Sequence, residues 1–382
     1  MRIAFYAPLK SPDHPVPSGD RRMGRLLIEA LRLARHQVEL ACTFSSRDGT
    51  GDAANQARIR DHGTTLAHKL IASYRARPPA ERPQLWLTYH LYHKAPDWIG
   101  PPVADALGIP YVVAEASVAA KRKDGPWDLG YRASLLALRR AALVIGINGA
   151  DREGVLPHLA EPSRLAALPP FIDRAPFEKA ADNRQACRRS LMTRYALSAR
   201  WPWLLAIGML RFGAKLESYR VLAAALERVD AAPWTLVIVG DGPARNEVRQ
   251  LFDPFGQQVQ IVGQEPEAQI PAWCAAADLM VWPAIDEAYG MALVEAQATG
   301  LPVVAGASGG VPEIVRDGVT GLTPPPGDAG AFAAAINALL ADPDKRQAFG
   351  AAARRICAQE HDLFVAARRL DTLLGSLQVK PG

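Results

Sequence analysis

Residues 279–305 read LMVWPAIDEAYGMALVEAQATGLPVVA. Leu279–Pro283 is an apolar run without polar alternation, as expected of a strand buried on both faces of a parallel sheet. Gly290 opens a segment of good helix formers. Gly300 supplies a natural C′ residue, and Pro302 starts the next apolar run, Pro302–Ala305. Strand, loop, helix and strand in that order make a βαβ unit.

The same alternation extends in both directions. Trp203–Met209, Thr235–Val239 and Val259–Val262 read as earlier strands of the same unit. The run Lys215–Arg228 is a helix with Leu216, Tyr219, Leu222 and Leu226 on one face. In the first half, Arg2–Ala7, Gln37–Cys42, Leu85–Tyr89, Tyr111–Ala114 and Leu143–Ile147 are strand-like. Arg21–Ala34 reads as a helix, and the polar stretch SSRDGTGDAAN after Cys42 as a loop. The Pro-rich segment Leu168–Asp173 separates two tandem α/β units and is expected to act as a hinge over 168–175. Leu363, Ala366, Ala367, Leu370, Leu373, Leu374 and Leu377 form one stripe of a terminal helix. The expected division is 1–170, 171–358, and a 359–382 segment.

The chain has 382 residues, 49% of them hydrophobic and 22% charged, which excludes a disordered or fibrous class. Four cysteines lie far apart with no CxxC pair, pointing to a reducing compartment. No apolar stretch approaches the ~20 residues of a membrane span. The first residues lack the pattern of a signal peptide, and a cytoplasmic location is expected. Residues 1–170 carry 23 Lys and Arg against 16 Asp and Glu, a balance of +7, and the remainder balances at −2. A basic first half fits an anionic partner, such as a phosphorylated acceptor or an acidic lipid surface, or a set of solvated arginine-rich helices. Without aromatic residues interleaved among the basic ones, nucleic acid is not expected.

Chemistry concentrates at Glu287 and Glu295, eight positions apart, one in the loop after a strand and one inside the following helix. A helix N-terminus offers free amides and the positive end of a dipole to a phosphate. An ionised glutamate accepts two hydroxyl hydrogen bonds. Such a pair could simply favour a helix start and a solvated face. Its place at the carboxyl end of a strand, where open α/β sheets bind ligands, favours a sugar–diphosphate–ribose molecule.

EAYGMALVEAQATGLPVVA resembles the E-x7-E signature of the retaining family 4 glycosyltransferases. VIVGDGP (Val237–Pro243), Val262–Gln264 and GASGGVPEIVRDGVTG (Gly306–Gly321) follow the family's order, so the likeness runs from Trp203 to about Gly321. It implies an α/β chain of two facing Rossmann-like, doubly wound domains (the GT-B fold), with a terminal helix crossing back to the first. By resemblance, Glu287 contacts the donor sugar and Glu295 the ribose. The amides of Tyr289, Gly290 and Met291 meet the diphosphate, with Gly263 and Gly240 in the donor loops. Arg211 and Lys215 take the family's cationic pair, which neutralises a departing diphosphate. Many members place the arginine where Met209 stands here. For Gly240, in Gly240-Asp241-Gly242-Pro243 with Pro243 at a helix start, a tight turn is the favoured reading. Gly309-Gly310 resembles the loop below the sugar.

In the first half, Gly19 matches the family's glycine loop, and a plain turn is nearly as good a reading. The family often has a histidine after the fourth strand, where this chain reads Val113-Ala114-Glu115-Ala116-Ser117. Glu115 or His90 is expected to share its work. Lys121-Arg122-Lys123 beside Trp127 reads as a solvated loop or a membrane-facing patch. No metal motif stands out, and no cofactor beyond the donor substrate is expected.

The expected activity is transfer of a sugar from a nucleoside diphosphate to a saccharide or lipid-linked acceptor, with retention, in cell-envelope glycan or polysaccharide synthesis. Peripheral contact with the inner membrane face is part of that expectation. The alternatives are a sugar-nucleotide epimerase or hydrolase on the same fold, and a non-catalytic nucleotide-sugar-binding protein.

Overall fold

The computed structural model describes residues 1–16, 18–230 and 233–377. The chain folds as two units, Met1–Pro170 with Leu363–Gly382, and Phe171–Asp362. The boundary after the second unit falls at 362/363, not 358/359, because Pro343–Glu360 is one continuous helix of that unit. The last five positions of the expected 359–382 segment lie outside the described residues.

The first unit holds β1 (Arg2–Tyr6), β2 (Gln37–Leu40), β3 (Leu85–Leu91), β4 (Tyr111–Ala116), β5 (Leu143–Gly146) and β6 (Leu165–Ala167). They form one sheet in the order β2-β1-β3-β4-β5-β6, every neighbouring pair parallel. The second unit holds β7 (Trp203–Ile207), β8 (Thr235–Val239), β9 (Val259–Gly263), β10 (Leu279–Trp282), β11 (Val303–Ala305) and β12 (Gly321–Leu322). Their order is β12-β11-β10-β7-β8-β9, again all parallel. Each sheet reverses its winding once, between β1 and β3 and between β7 and β10. At such a point the loops diverge and leave a crevice at the carboxyl edge.

The strands are apolar on both faces because helices cover both. β7, β8 and β10 are buried almost throughout. The terminal helix Leu363–Gly375 packs on the helix Gly19–Leu33, burying Leu370 and Leu374 completely. Two parts of the sequence expectation change. The polar loop ends at Asp52, whose side chain caps a 24-residue helix, Ala53–Ala76, by accepting from the Asn55 amide at 2.6 Å. That helix buries Gln56, Gly63, Ala67 and Tyr74, a helical spacing carried by small and polar residues rather than an apolar stripe. The helix read at Arg21–Ala34 begins at Gly19, with Ser18 as N-cap accepting from the Arg21 amide.

Candidate active site

The reversal of the second sheet brings two distant loops together. The helix Ala214–Leu226 follows β7 and carries Lys215 in its first turn, and Glu287 lies in the loop after β10. Lys215 Nζ meets Glu287 Oε2 at 2.5 Å. The same oxygen accepts from Trp282 Nε1 at 2.9 Å, and Nζ lies 5.0 Å from the centre of the Trp282 ring. One carboxylate oxygen is thus fixed by a charged and a neutral donor. The side chains remain 33% and 14% exposed, so the pair opens to solvent. The loop holding Glu287 is itself tied down, with the Ile285 amide donating to Ser218 Oγ at 3.0 Å. Ala284 and Asp286 take left-handed backbone, at φ 56° and 47°.

Two glycines press against this loop. A Cβ at Gly309 would lie 2.0 Å from the Glu287 carbonyl oxygen, and Gly309 has φ 53°. The Gly310 amide reaches the same carbonyl at 3.4 Å. The Gly309-Gly310 motif therefore supports the Glu287 backbone.

The helix Met291–Thr299 lies between Gly290 (φ 63°) and Gly300 (φ 78°), both left-handed. Its first hydrogen bonds run from Leu293 and Val294 to the Gly290 carbonyl, so the amides of Met291 and Ala292 precede the helical ladder. Tyr289 and Met291 are half-buried beside this mouth. Glu295 lies one turn further in and is only 3% exposed, a buried carboxylate rather than a rim group.

Arg211 is exposed, and its guanidinium has no carboxylate partner among the described residues. The loop that bears it rests on GDGP. The Leu210 amide donates to the Asp241 carbonyl at 3.0 Å, and the Ala244 amide to the Leu210 carbonyl at 2.8 Å. A Cβ at Gly240 would fall 1.9 Å from the Gly208 carbonyl oxygen, so only glycine fits. Gly240 is thus placed as a packing residue that supports the cationic loop. Pro243 is not at a helix start, since the helix begins two residues later at Arg245. Gly263 ends β9, where its carbonyl accepts from the Gly240 amide at 2.8 Å, beside the Asp241–Arg245 ion pair.

In the first unit, His90 Nδ1 meets Asp20 Oδ1 at 2.8 Å. Asp20 sits in the first turn after β1 and His90 near the end of β3, so the pair spans the β1/β3 reversal. Burial alone would lower the imidazole pKa. The hydrogen bond and charge of Asp20, joined by Glu115 and Asp151, hold it above its ordinary value. Burial likewise opposes ionisation of Asp20, but the bond and charge of His90 hold its carboxyl below the usual range. The β3–β4 register runs from Tyr89–Ala114 to Leu91–Ala116 across His90 and Glu115, both at φ 65°. Glu115 is 3% exposed, and its carboxylate accepts the amides of Ile147 at 2.9 Å and Asn148 at 3.2 Å. It holds the loop after β5. Gly19 is the first residue of a helix rather than a turn, with open space where a side chain would stand.

Two partners escaped sequence reading: Asp20, although it adjoins Gly19 in Ser18-Gly19-Asp20, and Trp282, which reads as an ordinary strand residue. Both are visible only once the sheets bring distant loops together.

Among the described residues, no helix is long and apolar enough to cross a membrane. Residues 202–342, the segment in which the resemblance was read, match the family model described as glycosyl transferases group 1. The chain is 29% identical over 236 residues to an alpha-D-kanosaminyltransferase of Streptomyces kanamyceticus, covering 61% of this chain and 60% of that protein. It is 33% identical over 219 residues to a GDP-mannose-dependent alpha-(1-6)-phosphatidylinositol monomannoside mannosyltransferase of Mycolicibacterium smegmatis, covering 55% and 56%. The chain thus spans less than two thirds of either relative. The crystal structure of Anabaena HepE in complex with UDP superposes with a TM-score of 0.76 at 21% identity, over 99% of this chain and 100% of that one. The fold is that of the GT-B glycosyltransferases, two Rossmann-like domains.

Proposed function

We propose that this chain is a glycosyltransferase that moves a sugar from a nucleoside diphosphate to a hydroxyl of a saccharide or lipid-linked acceptor, with retention at the anomeric carbon. The observation that carries the reading is the Lys215–Glu287–Trp282 cluster at the β7/β10 reversal, beside the mouth of the helix Met291–Thr299. As the C1–O bond breaks, negative charge grows on the diphosphate. Arg211 and Lys215 are the cations that meet it, and the amides at the helix mouth add fixed dipoles. Glu287, oriented through one oxygen, keeps acceptor capacity for donor-sugar hydroxyls, and Glu295 serves the ribose. Gly240, Gly263 and Gly309 shape the loops around these groups. The UDP complex of the structural neighbour and the GDP-mannose dependence of one relative support a nucleoside-diphosphate sugar as donor. The phosphatidylinositol monomannoside named as acceptor for one relative supports a lipid-linked acceptor, and with it work at the inner membrane face in envelope-glycan synthesis.

The test is a thermal-shift screen with UDP-glucose, GDP-mannose and ADP-glucose, followed by turnover of the Glu287→Gln variant. A true donor at a hundred times its dissociation constant adds about 2.7 kcal/mol to native stability. The variant should keep measurable nucleotide affinity and lose turnover. No shift with any of the three, or an unchanged rate in the variant, refutes the assignment.

A further inference from the structure

We propose that the first unit carries a phosphate-binding site, built from Lys94, Lys121, Arg122 and Lys123 around the Trp127 ring, for a phosphate ester borne by a soluble saccharide or a lipid headgroup. The site lies wholly within that unit and uses none of the residues assigned to the donor. It is defined by binding alone, so its test does not depend on the glycosyltransferase reading.

Three loops at the carboxyl edge of the first sheet build it. They follow β2, β3 and β4, at the edge where open α/β sheets bind ligands. Trp127 closes the loop after β4 and precedes the helix Asp128–Arg140. Its Nε1 donates to the Asp48 carbonyl at 3.1 Å, and the Pro126 carbonyl accepts from Gln56 Nε2 at 2.7 Å. The Asp48 amide in turn donates to the Lys94 carbonyl at 2.8 Å. The loops touch without room for side chains. A Cβ at Gly51 would stand 2.7 Å from Pro126, and one at Gly130 would stand 2.1 Å from the His93 carbonyl oxygen. The ring is therefore a fixed platform, and the Lys94 backbone is tied to it through Asp48.

Onto that platform the loops bring cations without matching anions. Lys94 Nζ lies 4.6 Å from the ring centre, and the Arg122 guanidinium carbon lies 5.0 Å from it. The two heads are thus no more than about 10 Å apart, a separation that physiological salt screens only in part. Lys121 and Lys123 flank Arg122 and are exposed. None of the four has an ion-pair partner among the described residues, and Arg122 Nε is buried without a hydrogen bond.

The acids nearby are already engaged. The Asp48 carboxylate accepts from the amides of Thr50 and Gly51, from Thr50 Oγ1 and from Asn55 Nδ2. Asp124 and Asp128 are held by Arg132 at 2.9 and 2.5 Å, and Lys123 acts on Asp128 through charge alone. His93 stands edge-on to the ring at 6.1 Å. Burial, with the charges of Arg122 and Lys94, pushes its pKa down to about 4, so it is neutral at pH 7. Cations gathered this closely repel one another, and the Trp127 ring is what attracts both Lys94 and Arg122. A phosphate supplies what they lack, negative charge spread over several oxygens that accept from ammonium groups and a forked guanidinium together. A carboxylate has fewer oxygens and meets fewer of these donors.

The test uses the full chain, with inorganic phosphate, sodium acetate, and phosphatidylcholine vesicles with and without phosphatidylglycerol as probes. Calorimetric titration measures the soluble anions and co-sedimentation the vesicles. The proteins are wild type, Lys94→Gln/Arg122→Gln and the charge-matched control Lys69→Gln/Arg189→Gln, whose cations are exposed elsewhere. Melting curves establish that each is folded. Lys121→Gln/Lys123→Gln, at exposed positions, gives a second comparison should the first pair alter melting. Lys94→Gln/Arg122→Gln should weaken phosphate binding about tenfold or more, through lost hydrogen bonds to charged groups, while the control matches wild type. Binding to phosphatidylglycerol vesicles that the same pair removes identifies a lipid headgroup as the source. Phosphate binding without vesicle binding identifies a soluble phosphate ester, and either result supports the site. A wild-type chain that binds neither inorganic phosphate nor the phosphatidylglycerol vesicles overturns the proposal. Equal losses in the site variant and the control overturn it as well, and so does acetate binding as tightly as phosphate. The donor-induced melting shift is read alongside, and its absence refutes the proposed function while leaving this test intact.

Discussion

Gly309 offers a severe test of the idea that the Glu287 loop is held by backbone packing. In Gly309→Ala the added carbon would stand 2.0 Å from the Glu287 carbonyl oxygen, where contacts below 3.0 Å are essentially never seen. One of the two loops must therefore retreat by at least about 1 Å, and misplacement on that scale near a reacting centre costs up to about 10²-fold in rate. The substitution also forces alanine into φ 53°, at about 1–2 kcal/mol, and endangers the Gly310–Glu287 hydrogen bond, worth about 0.5–1.5 kcal/mol. A loss of about 2–3 kcal/mol in a domain of this size lowers the melting temperature by about 5–10 °C. Gly318 is the control, since it has φ 68° but nothing within 4 Å of its added carbon. Gly318→Ala carries only the conformational cost and should leave the rate unchanged. Melting curves and nucleoside-diphosphate release are the measurements. Equal rates for the two variants would refute the claim that Gly309 supports the Glu287 loop.

Lys215→Met removes the cation and leaves Glu287 Oε2 accepting from Trp282 Nε1 at 2.9 Å. Donor turnover should fall about 10²-fold or more while the protein stays folded, and a rate within twofold of wild type counts against a charge role. The Asp20–His90 pair predicts a signed dependence of stability on pH. Its raised imidazole stabilises fully below about pH 6.5 and fades as pH rises through the folded pKa, whereas its depressed carboxyl stabilises above about pH 3.9 and fades as pH falls through the folded pKa. Denaturant unfolding of the first unit should show this support between about pH 4 and 6.5, and Asp20→Asn should flatten it. Leu370→Ala removes a fully buried side chain from the terminal helix and should destabilise the first unit by about 2–5 kcal/mol, with donor affinity unchanged by titration.

The strands were legible because parallel strands covered on both faces leave continuous apolar runs, as in Thr235–Val239. β6 and β12 were not, since three and two residues carry too little pattern, and Leu165–Ala167 has no β-branched residue. The helix Ala53–Ala76 stayed hidden for a different reason. Its inward face is Gln56, Gly63, Ala67 and Tyr74, and Gly63 sits where a Cβ would lie 2.7 Å from Trp98. Close approach selects small residues, which erases the hydrophobic stripe that marks a helix. At the candidate site, Glu287 and Lys215 stood out by charge at element ends. The placement of Gly240 as support for a neighbouring carbonyl depended on tertiary contact, which sequence spacing does not carry.

The ion pairs at the two winding reversals are 70 and 72 residues apart, Asp20 to His90 and Lys215 to Glu287. Each joins the first turn of the helix after the opening strand of its unit to the far side of the winding reversal, at His90 near the end of β3 or at Glu287 in the loop after β10. The paths between them differ, since β2 and the long helix Ala53–Ala76 separate Asp20 from His90, whereas β8 and β9 separate Lys215 from Glu287. A helix-start side chain and one at or beyond a strand end are thus brought together without any local sequence signal. The polarity of the pairs differs, with the carboxylate on the helix in the first unit and the cation on the helix in the second. A helix N-terminus favours Asp20 and disfavours Lys215. The unfavourable cation is offset by the Glu287 carboxylate at 2.5 Å, to which the proposed diphosphate would add. The favourable carboxylate is free to serve an imidazole instead. The same fold element thus carries a cation paired with a carboxylate in one unit and a carboxylate paired with an imidazole in the other.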